Sequence, residues 1–137
     1  MTMLTEEMQD LVNHAEAWVL ATADLNGVPN AVPVNWCELL DESTMMIVDS
    51  CMKKTVENIK ANPNVAISVW VGGRGYQFKG KARIETSGEI FEEGERLIRA
   101  VNPTAHPKGV IIVEIETIYN TSPGYDAGKK VGNGDYH

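Results

Sequence analysis

The sequence predicts a mainly β fold, a six-stranded antiparallel β-barrel with helices packed on its outside. Several segments alternate apolar and polar residues with a period of two, and tight-turn signals join most of them. The regular strand–helix alternation that builds a parallel sheet is missing. We expect one domain over residues 1–122, followed by a glycine-rich tail over 123–137.

The first third of the chain predicts a helix and a hairpin. Residues 5–17 carry an apolar stripe, with Thr5 as a suitable N-cap. The dipeptide Asn26-Gly27 then indicates a tight turn between two strands. The return strand, "VPNAVPVNW" (28–36), contains two prolines, which either place it at the edge of a sheet or mark a site where the hydrogen-bond ladder opens.

The middle of the chain predicts a turn, a strand and a short helix. "LLDES" (39–43) is interpreted as the turn, and "TMMIVDS" (44–50) as the third strand. The helix over 54–62 places Val56 and Ile59 on one face and ends before Pro63, with Ser50 as a candidate N-cap.

The second half predicts two long strands, a helix and a final strand. "NVAISVWV" (64–71) and "YQFKGKARIE" (76–85) both alternate, and "GGRG" turns the chain between them. A helix is expected over 88–102 and the last strand over 110–120. For the tail, two interpretations stay open: a frayed end, or an arm that docks on another surface.

Composition excludes several classes of function. The net charge of −7 argues against nucleic-acid binding and against docking on an anionic membrane. The three histidines and two cysteines have no metal-ligand spacing, so no metal is expected. The acidic amphipathic start does not resemble a secretory signal, so we expect a cytoplasmic protein. Cys37 and Cys51 are expected to be free thiols that are small and buried.

Two lysines stand where a helix start disfavours cations. Lys53 and Lys54 lie in or beside the first turn, where the helix dipole stabilises anions. One interpretation is that both are solvated side chains that bind nothing. The other is a phosphate held by the two ammonium groups, the Thr55 hydroxyl and backbone amides, with Asn35 and Gln77 contacting other parts of a nucleotide-like ligand. Neither a GxGxxG nor a P-loop motif is present.

Three segments then indicate a family. "KKTVENIKANPNVAISV", "VPNAVPVNW" and "GYQFKGKARIE" occur in the order and spacing of the pyridoxamine 5'-phosphate oxidase-like flavoproteins. The chain resembles the small FMN-binding proteins of that group over about residues 17–119. The resemblance implies the FMN-binding split β-barrel fold and a homodimer that holds two FMN molecules in the clefts between subunits.

The resemblance also implies which residues bind FMN. Lys54 and Thr55, with Lys53 nearby, would hold the phosphate. The other implied contacts are Val34 through its backbone, Asn35, the nearby Trp36, the backbone of Val48, Asp49 and Ser50 along the flavin ring, and Gln77 at the pyrimidine side. The partner subunit is expected to cover part of the ring through Trp70 or residues 123–125.

The implied function is that of an FMN-dependent oxidoreductase or electron carrier. No side chain is expected to act as a catalytic acid, base or nucleophile, because the flavin carries the chemistry. The chain has no segment that matches the substrate-phosphate site of the true oxidases, which use an arginine-rich grip and basic residues near the C-terminus, so pyridoxamine phosphate oxidation is not expected. Two alternatives stay open: an FMN storage or sensing module, and a haem-binding or haem-degrading relative that would use His14 or His106.

Overall fold

The computed structural model describes residues 3–132 and 135–136. It shows one curled antiparallel sheet with three helices. The helices are α1 (Glu6–His14), α2 (Lys54–Ala61) and α3 (Glu89–Arg99). The strands are β1 (Trp18–Ala23), β2 (Pro29–Val34), β3 (Cys37–Asp41), β4 (Thr44–Asp49), β5 (Asn64–Val71), β6 (Arg74–Glu85), β7 (Gly109–Asn120), β8 (Lys130–Gly132) and β9 (Asp135–Tyr136).

The strand order confirms the predicted fold class and corrects the strand count. Seven strands follow one another in the order β2-β1-β5-β6-β7-β4-β3, and the short β8 pairs with β7. The additional strand in this path is β3, where the sequence predicted a turn over residues 39–43. Cys37 pairs with Ile47 and Leu39 with Met45, so the turn between β3 and β4 is shorter and starts later.

Strands β2 and β3 are the two ends of this path, and they lie on either side of the opening in the barrel. The position of β2 confirms the edge location that its prolines predicted. Its turn from β1 is held by Asp24, whose carboxylate accepts hydrogen bonds from the amides of Asn26 and Val28. Gly27 follows with a φ of 80°, which a glycine adopts without strain.

The barrel interior is filled by alternate residues of each strand. Leu20, Ile67, Phe78 and Ile118 lie in register across β1, β5, β6 and β7, and all four are fully buried. Helix α1 adds Met8, Leu11 and Val12 to the same core. The alternation that was predicted for residues 76–85 is therefore confirmed.

Helix α3 builds a second, smaller core on the outside of the sheet. Ile98 packs there with Met46, Val48, Val110 and Ile112. A side chain at position 94 would collide with Val110, so Gly94 allows the helix to approach the sheet closely. As a result β4 is buried on both of its faces, and it leads directly into the segment that precedes α2.

The helix ends differ modestly from the sequence expectations. Helix α1 covers less of the chain than the predicted 5–17, and α3 less than 88–102. In the tail, β8 pairs with β7 through Val131 opposite Ile118, so this part of the tail extends the sheet. Within the described residues, none of the helices has the length and apolar character required to cross a membrane.

Candidate functional site

A cleft of about 530 Å³ opens at the edge of the barrel. Its volume falls within the range of about 300–1,000 Å³ that is usual for ligand sites. Strand β2, the link to β3, the end of β4 and the start of α2 form its walls. The lining residues are Asn30, Val32, Pro33, Val34, Asn35, Trp36, Val48, Ser50, Cys51, Met52, Lys53, Lys54 and Thr55.

The start of α2 has no side-chain cap. The N-cap position is occupied by Lys53, and no side chain within the described residues caps the first-turn amides. The prediction that Ser50 caps this helix is therefore wrong. The carboxylate of Asp49 instead accepts a hydrogen bond from the amide of Met52 at 2.8 Å and so shapes the preceding loop. The amides of the first turn of α2 remain available to an anion in the cleft.

The two lysines at this helix start carry charges that the chain does not neutralise. Lys53 and Lys54 are exposed, and neither forms an ion pair within the described residues. All four arginines of the chain are ion-paired: Arg74, Arg83, Arg96 and Arg99. Two unpaired ammonium groups beside uncapped amides make this end of the cleft electropositive, although the chain as a whole carries a net charge of −7.

Thr55 brings a buried hydroxyl to the same place. Its side chain is 3% exposed, and its Oγ1 accepts a hydrogen bond from the amide nitrogen of Asn30 at 3.0 Å. The same nitrogen of Asn30 donates to Thr22 at 3.2 Å, and Asn58 also donates to Thr22 at 3.0 Å. This small polar network connects β1 and β2 to α2 and fixes the position of Thr55.

The opposite wall combines apolar side chains with exposed polar ones. Val34 and Val48 are buried, whereas Asn35 and Trp36 are exposed and follow directly after β2 ends. The carbonyl of Trp36 accepts a hydrogen bond from the amide of Val48 at 2.9 Å, which joins the two sides of the cleft. This wall can hold a flat, largely apolar ring while leaving polar groups at its border.

Two of the predicted site residues lie outside this cleft in the single chain. The Asp49 side chain is buried and lines a separate groove behind the loop, although its backbone continues the strand that forms the cleft wall. Gln77 lies on the outward face of β6, between Ser68 of β5 and Tyr119 of β7. The structure therefore brings together eight of the predicted residues, namely Val34, Asn35, Trp36, Val48, Ser50, Lys53, Lys54 and Thr55.

The cysteines differ from each other in their environments. Both are free, as predicted, but Cys51 is exposed at the cleft, so the expectation that both are buried is wrong for this residue. Cys37 is half-buried beside the carbonyl of Val34, and burial raises the pKa of its thiol to about 12. Its thiol therefore stays protonated at neutral pH and is a poor nucleophile.

Neither of the histidines proposed as haem ligands reaches the cleft. His14 lies against Asp10 at the end of α1, and His106 lies beside Arg99 after α3. Both side chains are solvent-exposed. No group of three or more histidine, cysteine or acidic side chains within the described residues could hold a metal ion.

The sequence reasoning missed Asn30, which lines the cleft and contacts Thr55 across 25 positions of sequence. A signal was present, because asparagine is depleted in strands and Asn30 is the one polar residue of an otherwise apolar β2. Met52 and Cys51 also line the cleft, and no pattern in the sequence distinguishes them.

Comparison with known proteins gives a family and several relatives. The family model described as Pyridoxamine 5'-phosphate oxidase matches residues 4–122. The uncharacterized protein MJ0282 of Methanocaldococcus jannaschii is 37% identical over 131 residues, which cover 93% of this chain and 87% of that protein.

Solved structures agree with the fold described above. HupZ of Group A Streptococcus is 32% identical with a TM-score of 0.80, and the match covers 92% of this chain and 100% of that chain. An FMN-binding protein from Syntrophomonas wolfei has a TM-score of 0.78 over 88% of this chain and 87% of that chain. Its identity of 18% supports a common fold and no more.

Proposed function

This chain belongs to the pyridoxamine 5'-phosphate oxidase family, and from that premise we propose that it binds FMN as a redox cofactor. One observation carries the proposal. Uncapped amides, two unpaired ammonium groups and a buried hydroxyl meet at one end of a cleft whose other walls are mainly apolar. A ligand that carries a phosphate at one end and a flat aromatic ring at the other would match this distribution of charged and apolar groups.

The phosphate end fits the start of α2. Lys53 and Lys54 supply charge, and Thr55 with the first-turn amides supplies directed hydrogen bonds. Asn35, exposed at the facing wall, is our candidate for a further donor to the phosphate. With an anion in place, the unfavourable position of both lysines beside the helix dipole becomes favourable.

The ring would lie along the backbone that joins β4 to α2. Val48, Asp49 and Ser50 offer backbone groups there, and Val34 and Trp36 provide apolar surface on the other side. These walls hold water away from one side of a bound ring. When bound, FMN supplies the electron-transfer chemistry.

The lining of the cleft includes no carboxylate and no imidazole within the described residues, so it lacks the side chains that most often serve in general acid–base catalysis. Among the described residues, the ionisable groups of the lining are two lysines, which the phosphate would engage, and the Cys51 thiol. This composition supports electron or hydride transfer in an oxidoreductase or electron carrier, in which the chain binds and orients the cofactor.

Absorption spectroscopy of freshly purified protein tests the proposal. We expect flavin absorption bands and, after removal of the cofactor, reconstitution with FMN at one molecule per chain. A colourless protein that FMN does not reconstitute would exclude the proposal. Mixing the loaded protein with NAD(P)H or a reduced low-potential carrier then distinguishes redox function from storage, because only redox function requires that a donor bleaches the flavin.

A second copy of the chain would complete the site. The outward sheet face carries small side chains in register, with Ala31, Ala21 and Ala66 on three adjacent strands. Such a face permits close approach of another sheet. Gln77 and the half-exposed Trp70 lie on the same face, and they are our candidates for the side chains that the second copy contributes to the ring.

Light scattering after gel filtration tests this arrangement. We expect a particle of twice the chain mass of 15.1 kDa. Ala21→Arg places a charge in the middle of this row of small side chains, between Ala31 and Ala66, and should yield a monomer with weakened FMN binding. Val101→Arg, at an exposed position after α3, is the matched control and should remain dimeric. A wild-type monomer that binds FMN fully would contradict the shared site.

A further inference from the structure

Asn30 occupies a central place in the polar network beside the cleft. Its side-chain nitrogen donates to Oγ1 of Thr55 at 3.0 Å and to Oγ1 of Thr22 at 3.2 Å. The two threonine side chains are only 3% and 4% exposed. Asn30 and Thr22 are cross-strand partners in β2 and β1, so the asparagine is held by the sheet rather than by α2.

This arrangement determines which way the Thr55 hydroxyl points its hydrogen. A hydroxyl group carries one hydrogen and two acceptor lone pairs. The N–H of Asn30 occupies an acceptor position on Thr55, so the Thr55 hydrogen is directed to a different partner. Thr55 lines the cleft, and no other bond of its hydroxyl occurs among the described residues, so this hydrogen is available to a group in the cleft.

We propose that Asn30 is a positioning residue that turns the Thr55 hydroxyl into a fixed donor and thereby makes the cleft select a phosphorylated flavin over an unphosphorylated one. This inference rests on the proposed function. Lys53, Lys54 and the first-turn amides of α2 are also donors, so the Thr55 hydroxyl completes a set that matches the acceptor oxygens of a phosphate. Riboflavin, which lacks the phosphate, gains nothing from this set.

The test compares the affinities of FMN and riboflavin in the full chain, measured by quenching of flavin fluorescence. For the wild type we expect a clear preference for FMN. Asn30→Ala should reduce this preference about tenfold, the loss expected when a hydrogen bond to a charged group is weakened. Its affinity for riboflavin should stay unchanged, a result that general damage to the fold would not produce.

Two further variants show whether Asn30 acts through Thr55. In a Thr55→Val background, Asn30→Ala should cause no additional loss of preference, because the hydroxyl that it orients is absent. Asn58→Ala is the matched control, since Asn58 donates to Thr22 in the same network but forms no hydrogen bond with Thr55 among the described residues. It should lower stability and leave the preference for FMN unchanged.

The outcomes separate the inference from the proposed function. A wild type that binds neither flavin, or binds both equally, overturns the phosphate site and with it the inference. A wild type that prefers FMN, with the same preference in Asn30→Ala, overturns the inference alone, as does a loss that persists in the Thr55→Val background. If Asn30→Ala does not fold, Asn30→Asp replaces it, because its carboxylate would accept the Thr55 hydrogen and should reduce the preference further.

Discussion

Helices α1 and α2 begin in opposite ways within the same small domain. At α1, the Thr5 hydroxyl accepts a hydrogen bond from the amide of Met8 at 3.3 Å, and Glu6 and Glu7 place negative charge in the first turn. At α2, the N-cap is Lys53, the next residue is Lys54, and no side chain caps the amides. That first turn contains one acidic residue, Glu57.

The difference indicates that the chain itself satisfies the first-turn amides of α1, whereas it leaves those of α2 available to a ligand. A missing cap alone does not make the distinction, because α3 also begins without one, at Gly88. Helix α3 nevertheless has Glu89 and Glu92 in its first turn, so its dipole is still complemented by the chain. The pair of cations is therefore the feature that distinguishes α2 among the helices in the described part of the chain.

Removing the donors of α2 should have the largest effect. Lys54→Ala combined with Thr55→Ala deletes two groups that we place on the phosphate. Hydrogen bonds to a charged group contribute about 1.5–3 kcal/mol each. The dissociation constant for FMN should therefore rise by about 10² to 10⁴-fold, as measured by fluorescence titration.

Lys60→Ala provides the matched control for this variant. Lys60 lies in the last turn of the same helix, is exposed and forms no ion pair within the described residues. Its removal lowers the net charge by the same amount as removal of Lys54, but at the other end of α2. FMN affinity should change little in this control, and an equal loss in both variants would mean that general charge, and not the helix start, binds the phosphate.

Replacing the first residues of α2 by residues like those that begin α1 should raise the stability of the protein and abolish FMN binding. Lys53→Ser supplies an N-cap, which is worth about 1 kcal/mol, and Lys54→Glu complements the dipole by about 0.3–1 kcal/mol. The double variant should unfold at a higher urea concentration, with a free energy of unfolding raised by about 1–2 kcal/mol, and it should lose FMN binding.

Lys53→Ser alone separates the two contributions. It adds the cap and leaves Lys54 and Thr55 in place, so it should raise stability while retaining part of the FMN affinity. Both proteins are compared without FMN. If the double variant is then less stable than the wild type, the two lysines do not reduce the stability of the fold, and the explanation offered for the difference between α1 and α2 is wrong.

The sequence predicted the fold where the local pattern and the burial agree. Alternation in β6 follows its burial closely, because one face packs in the barrel and the other faces outward. Strand β3 was missed because its first four residues are all half-buried and give no period of two. An edge strand that lies partly against α1 and partly against the side of the sheet under α3 produces this pattern, and only the tertiary structure reveals it.

The candidate site could be predicted where its residues are neighbours in the sequence. Lys53, Lys54 and Thr55 are consecutive, so the conflict between their charge and the helix dipole is visible in the sequence. The contact between Asn30 and Thr55 joins β2 to α2, and it requires the curl of the sheet. The incorrect cap at Ser50 has a similar cause, because the neighbouring Asp49 carboxylate engages the loop amide.

The smallest effect on FMN affinity and stability should come from a substitution in α1, whose first turn is capped by Thr5. Thr5→Ala removes the cap of α1 and should lower the free energy of unfolding by about 1 kcal/mol, which corresponds to a decrease in melting temperature of roughly 2–6 °C for a domain of this size. FMN affinity should not change, since α1 packs on β5 and β3 and does not line the cleft.

Thr104→Ala is the control for that change, because Thr104 is an exposed loop threonine that caps no helix. Calorimetry should show a clear decrease for Thr5→Ala and almost none for Thr104→Ala. If Thr5→Ala also weakened FMN binding as strongly as the lysine variants do, the two helix starts would not be independent. The claim that the start of α1 stabilises the fold while the start of α2 binds a ligand would then be wrong for α1.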